Sequence, residues 1–246
     1  FVDKRAHVVT TENLQEDRAD TKIGTTKQGI GPTYRKKYSR DGLRIGDLHE
    51  FAPELWDNDY YEVIDTYDLF HNSATQYRVL CEGAQGFQID IDWGDYPYVT
   101  SSHCTVGSAI LNGIPPQKIR KVFGIMKAYE TYSGSKRTFM NEDDADLHKL
   151  QEAGEEFGAT TGRKRKTRWL DMNGVIQAIN INGVTDLIIN KADILEQVGT
   201  MKYTHNGKEY IYDRLIEFRT FVDAVIKRNV NAPVNNITWS MTPHGI

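Results

Sequence analysis

The stretch TDLIINKAD, residues 185–193, decides how the rest of the chain is read. Leu187, Ile188 and Ile189 form a short apolar run that stops at Asn190, a pattern that predicts a buried strand handing over to a loop. Three further stretches have the same form: VLCEGAQG at 79–86, KVFGIMKAY at 121–129 and NNITWSMTP at 235–243. Between the last strand and TDLII, residues 213–228 place Leu215, Phe218, Val222 and Val225 at helical spacing, with charged residues on the other faces, and a second helix is expected over residues 174–181. Strands alternating with helices predict an α/β fold with a mainly parallel central sheet flanked by helices, whose ligands sit at the C-terminal ends of the strands. Residues 51–76, acidic and aromatic with weak helical periodicity, read as a helical excursion from that sheet. No repeat, low-complexity tract or linker divides the sequence, so residues 1–246 are expected to form a single α/β domain.

Composition excludes several classes of function. The chain of 246 residues carries 34 acidic against 30 basic side chains, a formal net charge of −4, with a pI near 6.0. Such a balance lacks the electrostatic footprint of a nucleic-acid binder. Cys81 and Cys104 are far apart and have no neighbouring histidine at zinc-site spacing, so they read as free thiols in a reducing compartment. No apolar run approaches the ~20 residues of a membrane span, and FVDKRAHVV at the start lacks the apolar centre of a signal peptide. The expectation is a cytoplasmic, soluble protein without membrane or nucleic-acid partners. Phe1 in place of an initiating Met points to residues upstream.

Four stretches carry chemistry. In GATTGRKRKTRWLD, residues 158–171, five cations occupy the six positions 163–168. A run of this kind reads as a solvated face, or, beside the glycines and threonines, as a surface for a phosphate or a carboxylate, because an arginine fork binds either through two parallel hydrogen bonds. IGTTKQGIGPTYRKKYSRDGLRIGDL, residues 23–48, contains two glycine turns that offer backbone N–H groups and hydroxyls to an anion, or are simply structural. In CEGAQGFQIDIDWGDYPYVTSSHCT, residues 81–105, Gln85 between Gly83 and Gly86 presents both a donor and an acceptor, which suits a purine edge. Asp193 in NKAD can accept two hydrogen bonds from the N1–H and 2-amino groups of guanine, with the Lys191 stem lying along the base.

These motifs in this order closely resemble the adenylosuccinate synthetase family, in the compact form found in archaea and viruses. The resemblance rests on GTTKQGIGPTY with DGLRIGDL, EGAQGFQIDIDWGDYPYVTSS, KAY, EFGATTGRKRKTRWLD and NKAD. It implies a P-loop-NTPase-like fold and a two-step ligation in AMP biosynthesis: GTP phosphorylates O6 of IMP, and the amine of L-aspartate then displaces the phosphate. By the same resemblance Thr161, Arg163 and Arg165 hold aspartate, and Arg163 also touches the ribose. Thr26, Arg40, Gln85 and Thr100 bind IMP, with Gln85 in a supporting catalytic role and Arg40 reaching across a homodimer interface. Arg165, Lys191, Asp193, Ser240 and Thr242 belong to the GTP site, Ser240 to Pro243 standing where the family has its base-lining loop.

Residue 1 aligns roughly a hundred residues into a typical family member, a length consistent with domain-size priors. The family's catalytic Asp and His and its Mg2+ ligands are therefore expected in a segment outside this chain. The stretch KAYETYSGSKRTFMNE, residues 127–142, departs from the family pattern, with Tyr132 at an arginine position. That departure leaves room for a phage-type relative that joins aspartate to dGMP, and the absence of the family's N-terminal loop from this sequence leaves room for a nucleotide-binding fragment without catalysis.

Overall fold

The computed structural model describes residues 1–53, 60–72, 78–136, 139, 143–158 and 162–242, with the backbone alone at 49 and 51. Its contacts divide the chain into two units, Phe1–Ile119 and Arg120–Ile246.

In the first unit, β1 (Val2–Asp3) pairs in parallel with β2 (Val63–Ile64). The Asp3 carboxylate locks this pair, accepting from the Thr66 amide at 3.0 Å and hydroxyl at 2.6 Å and from the Arg5 side chain at 2.9 Å. Helix α1 (Thr11–Ala19) starts where Thr10 and Asn13 form a reciprocal capping box, which satisfies two of the first turn's orphan donors. Helix α2 (Ile30–Ser39) follows a left-handed Gly29, where a Cβ would stand 2.7 Å from Val9 Cγ1. Pro32 is tolerated in its first turn, and Lys36 and Lys37 complement the dipole in its last. Lys36 meets Glu12 of α1 at 3.0 Å, and Arg35 pairs with Glu16. Two short helices, α3 (Leu48–Phe51) and α4 (Gly107–Leu111), complete the described helical part apart from single turns.

The strand expected over 79–86 is absent: the backbone there is irregular, with Val79 48% and Leu80 83% exposed. A strand exists only by pairing with a neighbour. The described part of this unit offers only the two-residue ladder of β1 and β2 and the isolated His7–Arg44 bridge. Of the helical excursion expected over 51–76, residues 54–59 and 73–76 lie outside the described residues; the rest contains the last residue of α3, β2 and a π-turn at Asp68–Asn72.

The second unit carries the parallel sheet. In chain order it contains β3 (Phe123–Lys127), β4 (Glu130–Tyr132), α5 (Ala145–Ala153), β5 (Lys166–Arg168), β6 (Leu170–Asp171) and α6 (Met172–Asn182). There follow β7 (Asp186–Asn190), α7 (Ala192–Val198), β8 (Met201–His205), β9 (Lys208–Tyr212), α8 (Leu215–Asn229) and β10 (Asn236–Trp239). Strand order is β10-β7-β3, all parallel. The central strand β7 buries Leu187 and Ile189, as its apolar run requires. The stripe of α8 runs through Leu215, Phe218 and Val222 to a fully buried Ile226, leaving Val225 only partly buried. Phe218 packs among the rings of Tyr203, Tyr212 and Trp239, at centroid distances of 6.0–6.1 Å. Antiparallel pairs supplement the parallel core. Strands β8 and β9 form a hairpin whose two-residue turn, Asn206–Gly207, takes positive φ at both positions, the geometry that matches strand twist.

Candidate functional site

The three parallel strands end at one edge of their sheet. Lys127 closes β3 opposite Asn190 of β7, and Trp239 closes β10 beside Ile189. At such edges the chain leaves the sheet and its side chains face a crevice, which is where ligands of open α/β sheets bind. Directly after β7, Lys191 adopts φ 62 and turns the chain into α7, which puts Asp193 in that helix's first turn. The Lys191 ammonium donates to the Gly154 carbonyl at 3.0 Å, so its stem is held against the segment after α5. After β10, the Ser240 amide continues the ladder to Ile189 O at 2.8 Å, and its hydroxyl donates to Thr242 O at 2.9 Å. Ser240 is buried and Thr242 exposed; Pro243 lies outside the described residues.

The basic run divides its cations among different tasks. Phe157 and Lys164 form an antiparallel bridge, flanked by Arg165 N to Glu156 O and Gly158 N to Arg163 O, each 2.8 Å. These close the base of a hairpin whose positions 159–161, Thr161 among them, lie outside the described residues. Beyond the hairpin, alternation along β5 sends Lys166 to the Lys136 carbonyl at 2.8 Å, buries Thr167 and brings Arg168 Nε to Glu130 at 2.9 Å. Arg163 and Arg165 are half-buried at the hairpin base.

One buried carboxylate organises this edge. Glu156, 1% exposed, accepts from Lys127 Nζ at 2.7 and 2.6 Å, from the Tyr129 hydroxyl at 2.8 Å and from Arg165 Nη1 at 3.0 Å. Burial alone raises a carboxyl pKa, but the hydrogen bonds and charges of Lys127, Tyr129 and Arg165 outweigh it and hold Glu156 below the ordinary carboxylate value. Burial lowers the Lys127 pKa, Glu156 opposes that shift, and the Arg165 and Lys191 cations reinforce it. Two cations, Lys127 and Arg165, thus pair with one carboxylate, and Lys191 is near enough to act on Lys127; the excess positive charge suits an anionic ligand.

In the first unit the structure brings Gln85 and Thr100 together through Ser102, which donates to Gln85 Oε1 at 3.2 Å and lies 3.3 Å from the Thr100 hydroxyl. Gln85 is exposed at φ 62, a strained geometry for a residue with a Cβ. Thr26 is exposed on the turn between α1 and α2, and that turn is held by Asp17. The two Asp17 oxygens take the Thr25 hydroxyl at 2.7 Å and the Gly29 amide at 2.8 Å, while Lys27 Nζ donates to the Asp17 carbonyl at 3.0 Å. Arg40, at φ 70, is exposed at the end of α2.

Among the described residues, Asp90, Asp92 and His103 are the one group whose spacing would admit a metal ion. They do not suit Mg2+. Asp90 is buried, and its oxygens already accept from the amides of Asp92, Trp93 and Cys104 at 2.9, 3.0 and 2.5 Å. It acts as the staple of its own loop. An imidazole is also a poor partner for so hard an oxygen-seeking cation.

The predicted residues therefore fall into two described groups. Thr26, Arg40, Gln85 and Thr100 belong to the first unit; Arg163, Arg165, Lys191, Asp193, Ser240 and Thr242 belong to the second. Sequence reasoning passed over Asp17, Lys127, Tyr129 and Glu156. Lys127 and Tyr129 flank the alanine of KAY, and Glu156 immediately precedes the cationic run; a lone acid beside five cations was the available signal.

The family model described as adenylosuccinate synthetase matches residues 1–70 and 54–221. The adenylosuccinate synthetase of Phocaeicola vulgatus is 36% identical over 86% of this chain and 60% of its own length; that of Monosiga brevicollis is 40% identical over 82% and 56%. The chain thus spans about 60% of the length of the curated relatives it matches. Two solved structures share the fold at low identity. One is the fully ligated adenylosuccinate synthetase of Plasmodium falciparum, with a TM-score of 0.80 and 22% identity over 99% of this chain and 76% of that one. The other is the succinoaminodeoxyadenylate synthetase of cyanophage S-2L, bound to dGMP and dATP, with a TM-score of 0.70 and 21% identity over 98% and 66%. By its motifs, its fold and the extent of these matches, the chain belongs to the adenylosuccinate synthetase family.

Proposed function

We propose that the full-length protein containing this chain ligates L-aspartate to IMP at the expense of GTP, through a 6-phosphoryl-IMP intermediate, as a step of AMP biosynthesis. The observation that carries the proposal is the edge of the parallel sheet, where the NKAD turn and the Lys127–Glu156–Arg165 cluster stand together. Arg163 and Arg165, with Thr161, would take the two aspartate carboxylates, and fixing both ends of aspartate orients its amine. Thr26 and Thr100 would bind the IMP phosphate, and the Gln85 carboxamide would hold the purine oxygen at which charge changes. Lys191 and Asp193 would select guanine, with Arg165, Ser240 and Thr242 lining the rest of the GTP site.

Mg2+ would neutralise charge on the transferred phosphoryl group when bound. The described residues of this chain offer it no suitable donor set. Arg40 would complete the IMP phosphate site of a partner subunit in a homodimer, in a cytoplasmic enzyme.

The GTP assignment is tested by Asp193→Asn. Losing a charged acceptor for two guanine donors, at roughly 1.5–3 kcal/mol per bond, should raise KM for GTP by about 100-fold or more and leave KM for IMP within about 3-fold. Equal losses for both substrates would contradict the guanine assignment. A second reading, aspartate ligation to dGMP, is favoured by Tyr132, whose ring packs 5.2 Å from Phe139 in the segment where the family carries an arginine.

A further inference from the structure

We infer that Glu156 is a positioning residue of the ligation: its buried carboxylate fixes the Arg165 guanidinium, and with it the base of the 158–165 hairpin, for binding aspartate. The inference rests on the reading of Arg165 as an aspartate ligand. Glu156 touches the hairpin twice, through its side chain to Arg165 Nη1 at 3.0 Å and through its carbonyl to the Arg165 amide at 2.8 Å. It is fixed from the other side by the end of β3, since Lys127 and Tyr129 both donate to it. Lys127 is fixed in turn by the Thr131 hydroxyl at 3.1 Å, and Gln151 donates to the Arg165 carbonyl. The segment that carries Glu156 is also tied to the NKAD turn, through Lys191 Nζ on Gly154 O.

An arginine with five donors on a flexible stem binds a carboxylate well only when its plane is preset, because ordering it at binding would cost conformational entropy. The Glu156 contact engages Nη1 of the fork. An ion pair serving stability alone needs no such network, and a buried pair is weak evidence of stability in any case.

The experiment uses Glu156→Gln in the full-length protein. This change keeps the volume but turns an amide donor toward Lys127, Tyr129 or Arg165. Two readouts are taken: KM for each substrate with kcat, and amide exchange at Arg165, which needs no activity. The inference expects KM for aspartate to rise about 10-fold or more, with KM for IMP within about 3-fold, and faster exchange at Arg165. Tyr129→Phe, which removes one grip and keeps the ion pair, should move both readouts the same way by less, and carries the test if Glu156→Gln does not fold. An equal rise in all three KM values, a fall in kcat alone, or unchanged exchange at Arg165 would overturn it. If the wild-type protein makes no adenylosuccinate while Arg165 exchange still responds to Glu156→Gln, the ligase reading is what fails, and the hold of Glu156 on Arg165 stands without its role in aspartate binding.

Discussion

Replacing Asp17 by Ala should unfasten the turn that carries Thr26 without touching the parallel sheet of the second unit. Asp17 is 3% exposed, and each of its oxygens holds one group of the turn: the Thr25 hydroxyl at 2.7 Å and the Gly29 amide at 2.8 Å. Hydrogen bonds to a charged acceptor contribute roughly 1.5–3 kcal/mol each, so losing both costs the turn about 3–6 kcal/mol, and the buried Gly29 amide is left without its acceptor. Gly29 packs closely on α1, since an added Cβ there would meet Val9 Cγ1 at 2.7 Å and the α1 backbone at 3.3 Å. The natural assay is amide hydrogen exchange on the peptide spanning residues 23–31 in the full-length protein. At 1.4 kcal/mol per decade, the Gly29 amide should exchange about 100-fold to 10,000-fold faster in Asp17→Ala. Asp17→Asn keeps an acceptor for Gly29 and offers a donor to the Thr25 oxygen, so its effect should be about 10-fold. Exchange at Gly29 within about 3-fold of wild type in Asp17→Ala would refute the claim that this carboxylate holds the turn that carries Thr26.

Two further outcomes are expected. The Asp3 carboxyl is held far below its ordinary pKa: burial pushes it up, but the bonds from Arg5 and Thr66 more than offset that. Its contribution to stability is therefore complete above the unfolded-state pKa of about 3.9 and is lost as pH falls below it. The stability difference between wild type and Asp3→Asn, measured by urea denaturation, should be largest near neutral pH and shrink toward about pH 2; a difference independent of pH would contradict the assignment. If the proposed homodimer forms, Arg40→Leu should weaken IMP about 10-fold or more by removing a charge-assisted phosphate contact, with the same mass by light scattering as wild type, and unchanged IMP affinity would rule out the proposed role across the interface.

What could be read from the sequence depended on whether a residue's partners are near it in the chain. The run LII before Asn190 marks a buried strand by itself, and the spacing of Leu215, Phe218 and Val222 marks a helix, so the sheet and the edge at which its strands end were legible. VLCE at 79–82 carries the same local signal and forms no strand, because strand formation is settled by a ladder partner that the run itself does not specify. The hairpin of β8 and β9 was announced by Asn206–Gly207 between apolar stretches, a turn signal that the parallel reading passed over. Asp17 and Glu156 were not legible in the same way. An acidic side chain is exposed by default, and only donors brought from elsewhere justify burying one. For Glu156 the decisive donor, Lys127, lies 29 positions away. Arg163, Arg165, Lys191 and Asp193 were singled out by motif order and not by any local physical signal.

The central claim is that a protein containing this chain joins aspartate to IMP using GTP. The most direct measurement offers the full-length protein IMP or dGMP, with aspartate and Mg2+, and either GTP or ATP, and follows adenylosuccinate or its 2-amino deoxy counterpart by absorbance and mass. The account predicts adenylosuccinate from IMP with GTP and little product with ATP, because the proposed Asp193 contact needs donors that adenine lacks. Product from dGMP alone, or none from any combination, would contradict it.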